Sequence, residues 1–200
     1  MAIHTDIVSP EGRAALDADL DAAFSMVLPV RPDVIAYACT AGSMVVPVNS
    51  LPDALSKKHG VAAVTTSAAI IAAFGALSVK RPAVITPYTQ GINDLEASFL
   101  QQNGFEVAGI SGRGIGPDNF TKIAQTPIQT VLEQVLETVT DRSDAITILC
   151  TDLPSLGLIR KLEEQTGLPV ITSNQATLWA CLRAAGLDDH PPILGQLAAH

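Results

Sequence analysis

Two cysteines occupy matching places in a repeated context. The run Val34-Ile35-Ala36-Tyr37-Ala38-Cys39-Thr40 is echoed by Ala145-Ile146-Thr147-Ile148-Leu149-Cys150-Thr151. Each run is short, apolar and rich in β-branched residues, which predicts a buried parallel strand ending in Cys-Thr ahead of a helix start. A thiol in that position lies where α/β sheets bind ligands. Backbone N–H groups and a helix dipole there favour the thiolate. A thiolate is a nucleophile, and a thiol beside it is an acid or base. Two such units predict a cleft with Cys39 on one wall and Cys150 on the other. Cys181 lies in the helical pattern Ala176–Arg183 and reads as a packing residue, a common role for free cysteine.

The rest of the chain must position those thiols. At 200 residues it is long enough for a substantial core, and 48% hydrophobic with 16% charged and 4% aromatic residues describes an aliphatic α/β protein. A net charge of −8 without any Lys/Arg cluster excludes a nucleic-acid partner. Three widely spaced cysteines form no disulfide framework and predict a reducing, cytoplasmic setting. No Cys/His spacing resembles a zinc site. The start lacks the basic and apolar segments of a signal peptide, and no apolar run reaches membrane-spanning length, so a soluble protein is expected.

Strand-like and helix-like segments alternate throughout, the pattern of parallel α/β architecture. Ser9-Pro10-Glu11 opens a helix running to about Met26. Next come the strand Val34–Ala38, a helix Leu51–His59 stopped by Gly60, and the strand Val61–Val64. Thr65-Thr66-Ser67 caps an apolar helix over Ala68–Leu77. Arg81-Pro82 punctuates the chain before a strand leading to Pro87-Tyr88. A helix over Asn93–Gln102 and a strand Phe105–Ile110 follow. The glycine-rich stretch Ser111–Asn119 reads as an irregular, mobile active-site loop. Helical segments fill about Phe120–Val139, and a helix through Glu164 follows the second cysteine. After the strand Val170–Thr172, Ser173-Asn174 caps the final helix, and the tail from Asp188 is expected to pack loosely. The expectation is two α/β lobes related by a pseudo-twofold axis, with mostly parallel sheets flanked by helices and a cleft between them. One lobe takes residues 1–81 with 174–200, the other 82–173.

The ordered motifs Ser9-Pro10-Glu11-Gly12, Tyr37-Ala38-Cys39-Thr40-Ala41-Gly42-Ser43, Thr65-Thr66-Ser67-Ala68, Pro87-Tyr88, Asp118-Asn119, Leu149-Cys150-Thr151 and Ser173-Asn174-Gln175 span nearly the whole chain. Together they resemble the aspartate/glutamate racemase superfamily, in its maleate cis-trans isomerase and arylmalonate decarboxylase branch. The decarboxylases of that branch keep only the second thiol and have glycine at the first, so Cys39 with Cys150 points to an isomerase or racemase. Tyr88 and Asn119 match positions that maleate isomerases use to hold carboxylates. The run Cys150-Thr151-Asp152-Leu153-Pro154 is also similar to aspartate racemases. Family members open with a strand and a Pro-x-x-Asn loop. No residue before Ile7 matches it, so the chain is expected to begin at about the second βα unit. Either the native protein is longer, or its start has been assigned late, or this member lacks the strand. In the last two cases a partner segment would have to cover a sheet edge.

The resemblance implies cis-trans isomerisation of a maleate-like dicarboxylate, needing no metal or organic cofactor, with Cys39 as nucleophile and Cys150 as acid/base. The same thiols suit racemisation of an amino acid or hydantoin. Protonation by Cys150 after decarboxylation fits least, and a non-catalytic binding member is a further alternative. Substrate-binding candidates are Thr40, Ala41, Ser43, Tyr88, Asn119, Thr151 and Asp152. Thr40, Ser43 and Thr151 serve equally well as helix caps, Ser67 and Asn174 read as caps alone, and Asp152 reads as a first-turn helix acid with a lesser role in tuning Cys150. A homodimer is expected from the apolar composition and the sheet edge.

Overall fold

The computed structural model describes residues 9–200. The stretch before Ile7, where the sequence reading finds no Pro-x-x-Asn loop, lies outside the described residues. Helix α1 (Pro10–Val27) is opened by the Ser9 hydroxyl, which accepts the Gly12 amide at 3.0 Å. Its Leu16, Leu20 and Phe24 recur every fourth residue, so one face is buried against Ile35, Tyr37, Leu51 and Leu55.

Strand β1 (Val34–Tyr37) leads into a single turn of helix, α2 (Thr40–Ser43), then α3 (Ser50–His59), β2 (Ala62–Thr65) and α4 (Thr66–Ala76). Strand β3 (Pro82–Tyr88) begins the second half. It continues through α5 (Gln90–Gln102), β4 (Gly109–Ile115), a 3-10 segment (Pro117–Gln125) and α6 (Ile128–Thr138). Strand β5 (Ala145–Ile148), α7 (Ile159–Thr166), β6 (Val170–Thr172) and α8 (Ser173–Ala184) complete it, with a final 3-10 segment at Pro192–Ala199.

Strands β1 and β2 form a parallel pair, and the other four form a parallel sheet in the order β4-β3-β5-β6. Helices flank both sheets, as the alternating pattern predicts. The order β1, α3, β2, α4 recurs as β5, α7, β6, α8. Both copies end their first helix on a glycine in the left-handed region, Gly60 at φ 67° and Gly167 at φ 71°. Both cap their second helix with the last threonine of the strand, Thr65 and Thr172. The two capped helices pack together, and Thr66 Oγ1 and Thr177 Oγ1 share a 3.0 Å hydrogen bond. Ile70, Phe74, Val84, Leu100, Leu149 and Ile171 form one core drawn from both halves.

Three expectations need correction. The glycine-rich segment is not an irregular loop: its residues through Ile115 form β4, parallel to β3 in the register Ala83↔Gly109 to Thr86↔Gly112. Gly112 serves close approach, since a Cβ there would overlap the Asn93 amide and the Tyr88 carbonyl. Ser173-Asn174 does not cap the last helix. Thr172 does, in a reciprocal capping box with Gln175. Nor does the tail pack loosely. Leu194 and Leu197 are fully buried, Gln175 Nε2 donates to the Leu194 carbonyl at 2.6 Å, and the Glu163 carboxylate accepts the Gln196 amide. Among the described residues no helix is long and apolar enough to cross a membrane.

Candidate active site

Cys39 stands two residues beyond β1, and Cys150 two residues beyond β5. The Cys39 amide donates back to the Tyr37 carbonyl at 3.1 Å, which folds the chain sharply out of the strand. Ser43 then fixes this turn. Its hydroxyl donates to the Cys39 carbonyl at 2.7 Å and accepts the Ser67 amide at 3.0 Å, while the Ser67 hydroxyl donates to the Ser43 carbonyl at 2.9 Å. The hydroxyls of Ser43 and Ser67 are therefore engaged with backbone, and Ser67 is a tie between α2 and α4 rather than a cap. Ala41 is half-buried in the same turn.

Cys150 is held differently. Its φ of 147° is a conformation L-residues seldom adopt. Its amide donates to Ser173 Oγ at 3.0 Å, and Ser173 Oγ is 2.8 Å from Thr40 Oγ1. Thr151 Oγ1 donates to the Ala38 carbonyl at 3.3 Å, and Asn174 Nδ2 donates to the Thr151 carbonyl at 2.8 Å. These bonds bring the two Cys-Thr turns together, and they assign Asn174 to the site rather than to a cap.

No helix begins directly after Cys150. A turn follows, then a 3-10 segment at Leu156–Leu158, and α7 starts only at Ile159. The thiol is served by separate donors instead: the Tyr88 phenol and the backbone amides of Asp152 and Leu153. Cys150 is 4% exposed, and burial pushes its thiol up to about 11 against the pull of those donors. Asp152 is therefore not a helix acid. Its amide faces the sulfur, while its exposed carboxylate adds a small opposing charge.

Tyr88 closes β3 where the register with β4 shifts. Thr86 Oγ1 accepts the Tyr88 amide at 3.1 Å and donates to Asn93 Oδ1. The ring meets Phe120 edge-on, with centroids 6.0 Å apart. Burial raises the phenol far above its usual range, and both thiols and Glu96 push in the same direction. Tyr88 thus lies within electrostatic reach of both thiols. Asn119 is exposed on the 3-10 segment next to Phe120.

Three residues of this region escape a reading of the sequence. Ser173 bridges the two turns, yet it looks like one more polar residue at a helix start. Glu96 on α5 is fully buried, and neither carboxylate oxygen has a hydrogen-bond partner among the described residues. Burial pushes it up to about 8, so it is largely protonated at neutral pH. Tyr37 lies beside Cys39 at Gly42, and its place two residues before the cysteine was the available signal. Cys181 is partly buried against the shared core, as a packing residue should be. Among the described residues no group of three or more His, Cys, Asp or Glu side chains is placed to hold a metal ion. A cavity of about 600 Å³ between β4 and α6 touches neither thiol, so the site rests on converging side chains rather than on cavity size.

Residues 48–198 match the family model for arylmalonate decarboxylase. The chain belongs to that family. A maleate isomerase of Pseudomonas putida is 31% identical over 202 residues, covering 95% of this chain and 79% of the relative. An arylmalonate decarboxylase of Bordetella bronchiseptica is 29% identical over 138 residues, covering 68% and 57%. Among solved structures, a mutant maleate cis-trans isomerase of Nocardia farcinica with a covalently bound succinylcysteine intermediate superposes with a TM-score of 0.88 at 26% identity. That match covers 99% of this chain and 83% of the other. A maleate isomerase of Pseudomonas putida with maleate gives 0.85 at 28% identity, covering 96% and 80%.

Proposed function

We propose that this chain is a maleate isomerase-like enzyme that converts a cis-dicarboxylate to its trans isomer through two cysteines. The observation that carries the reading is that the two cysteine turns, each two residues beyond a parallel strand, are tied together through the Ser173 hydroxyl and through the Thr151–Ala38 hydrogen bond. It is supported by family membership and by the similarity to maleate isomerases, one of them caught as a succinylcysteine adduct.

The chemistry follows from the unlike settings of the two sulfurs. Cys39 thiolate adds to one alkene carbon, forming a C–S bond and moving the π electrons into the neighbouring carboxylate. Cys150, kept protonated by burial, gives its proton to the other carbon. The former double bond rotates. Cys150 thiolate, a strong base in that setting, takes a proton back, the alkene re-forms, and the C–S bond breaks. The extra charge on the adduct is met by Tyr88, Asn119 and backbone donors near Thr40, Ala41, Thr151 and Asp152. Ser43 stiffens the nucleophile's turn from behind. The site residues require neither a metal nor an organic cofactor for these steps.

The two sheets support a division into lobes at 1–81 with 174–200 and 82–173. The exposed run of Met26, Val27 and Val30 suits burial in a homodimer, and three free cysteines suit a cytoplasmic protein.

Two assays on one preparation test the reaction. Loss of maleate absorbance with formation of fumarate, and a succinyl adduct on Cys39 in mass spectrometry, are expected. Deuterium exchange at the α-carbon of aspartate, glutamate or a hydantoin, without adduct, would instead establish racemisation. Cys39→Ala and Cys150→Ala should each abolish turnover, and Cys181→Ala should retain it. An active Cys39→Ala variant would overturn the nucleophile assignment.

A further inference from the structure

Each thiol of the site has its own tyrosine, and the chain contains only two tyrosines. Tyr88 reaches Cys150 from another strand. Tyr37 ends the strand that precedes Cys39, and the tight turn closed by the Cys39 amide on the Tyr37 carbonyl keeps the two residues close together. The turn after β1 brings the sulfur over the ring. Both atoms flank Gly42: a Cβ there would overlap the Tyr37 hydroxyl and stand 2.8 Å from Cys39 Sγ. The absence of a side chain at Gly42 is what leaves room for both atoms on the same side of the turn.

We propose that Tyr37 is a positioning residue for Cys39, its phenol donating a hydrogen bond to Sγ that holds the thiolate in place and aims it from β1. The direction of the bond is fixed by the phenol's environment. Tyr37 is 6% exposed, and burial together with the adjacent Cys39 charge keeps it protonated well beyond its usual range. A phenol in that state donates and does not accept a proton. From α1, Arg13 and Asp17 act on the same hydroxyl with opposite sign, Arg13 favouring negative charge and Asp17 opposing it. Arg13 Nε is bonded to Asp17 at 3.1 Å, and Arg13 Nη1 is buried without a hydrogen-bond partner among the described residues. On the far side, Tyr88 is the other titratable group coupled to Cys39.

This arrangement divides the labour of the two tyrosines. Tyr88 works on the acid, at the end of a strand in the four-stranded sheet. Tyr37 works on the nucleophile, from within the two-stranded pair. The proposal rests on the reading of Cys39 as nucleophile, and its test is chosen to stand apart from turnover.

The test is site-resolved alkylation of the intact protein with iodoacetamide across pH 6 to 10, following Cys39, Cys150 and Cys181 separately by mass spectrometry. In Tyr37→Phe, Cys39 alkylation at neutral pH should slow about tenfold, the worth of one hydrogen bond to a charged group. Its pH–rate curve should move to higher pH, while Cys181 is unchanged. Loss of maleate turnover should then appear in kcat more than in KM. A Cys39 curve superposing on that of the parent overturns the proposal even if the enzyme isomerises maleate. A shifted curve in a protein that does not isomerise maleate upholds the Tyr37–Cys39 pairing and rejects the reaction. If Tyr37→Phe does not fold, biosynthetic replacement of tyrosine by 3,5-difluorotyrosine makes the phenol a stronger donor. The Cys39 curve should then move to lower pH, and an unmoved curve overturns the proposal.

Discussion

Thr40 and Ser173 are 133 residues apart and share a buried 2.8 Å hydrogen bond. Ser173 also accepts the Cys150 amide at 3.0 Å, so one hydroxyl connects the turn after the first cysteine to the second cysteine itself. The distance between the thiols is thereby set by a contact between halves rather than within either. Ser173→Ala leaves a buried amide unsatisfied and should cost about 1–3 kcal/mol of stability. Turnover should fall further than the melting point suggests, because the sulfurs lose their common reference. Denaturant unfolding and steady-state kinetics on the same variant check this; wild-type values for both would rule it out.

Tyr88→Phe removes the side-chain donor that pulls the Cys150 thiol down from the level burial alone would impose. The thiol should move still higher than about 11. Proton donation then becomes harder, and kcat should drop about tenfold for one lost hydrogen bond. The basic limb of the kcat–pH profile should shift upward. A basic limb that stays in place would show that Cys150 does not depend on this phenol.

Glu96 makes stability depend on pH. Its carboxyl is raised by burial from 4.5 to about 8, so between those values the folded chain holds a proton that the unfolded chain has released. Stability from this group is whole below about pH 4.5 and is lost as pH rises through about 8. The slope is at most about 1.4 kcal/mol per pH unit. Glu96→Gln should flatten the curve and gain stability relative to the parent at pH 8.5 but not at pH 4.5. Urea unfolding at three pH values measures it, and parallel curves would falsify the idea.

The tail should matter to the fold. Leu194→Ala, at a fully buried site, should cost about 2–5 kcal/mol. Its neighbour Ile193 is 44% exposed, and Ile193→Ala should stay within about 0.5 kcal/mol. Thermal melts of the pair decide the matter; equal effects would mean the tail is not part of the core.

Much of this was legible because aliphatic strands announce themselves. The runs before Cys39 and Cys150 are β-branched and bounded by turn residues, and both form strands, each stopping two residues short of its cysteine. The segment Gly109–Ile115 was illegible for the opposite reason. With three glycines it carries little intrinsic strand preference, and only pairing with β3 makes it a strand. The cap of α8 was misread by one residue because Thr172, Ser173 and Asn174 are all capable caps, and only the register of β6 chooses between them. Glu96 sits in a polar stretch of an amphipathic helix, where a carboxylate normally faces water, so its burial is a tertiary fact. Ser173 and Tyr37 owe their roles to what crosses from elsewhere, the turn of the other half in one case and the gap at Gly42 in the other.

The backbone at Cys150 sets conformational comfort against chemistry. At φ 147° glycine is at ease and every side chain is strained, by about 1–3 kcal/mol at such positions. Random mutation filtered only for thermal robustness would therefore tend to erase the sulfur here, since glycine relaxes the chain. A population holding cysteine at this position is one in which selection for the reaction outweighs that drift. In a Cys150→Gly variant, relief of the backbone and loss of the thiol would therefore come together.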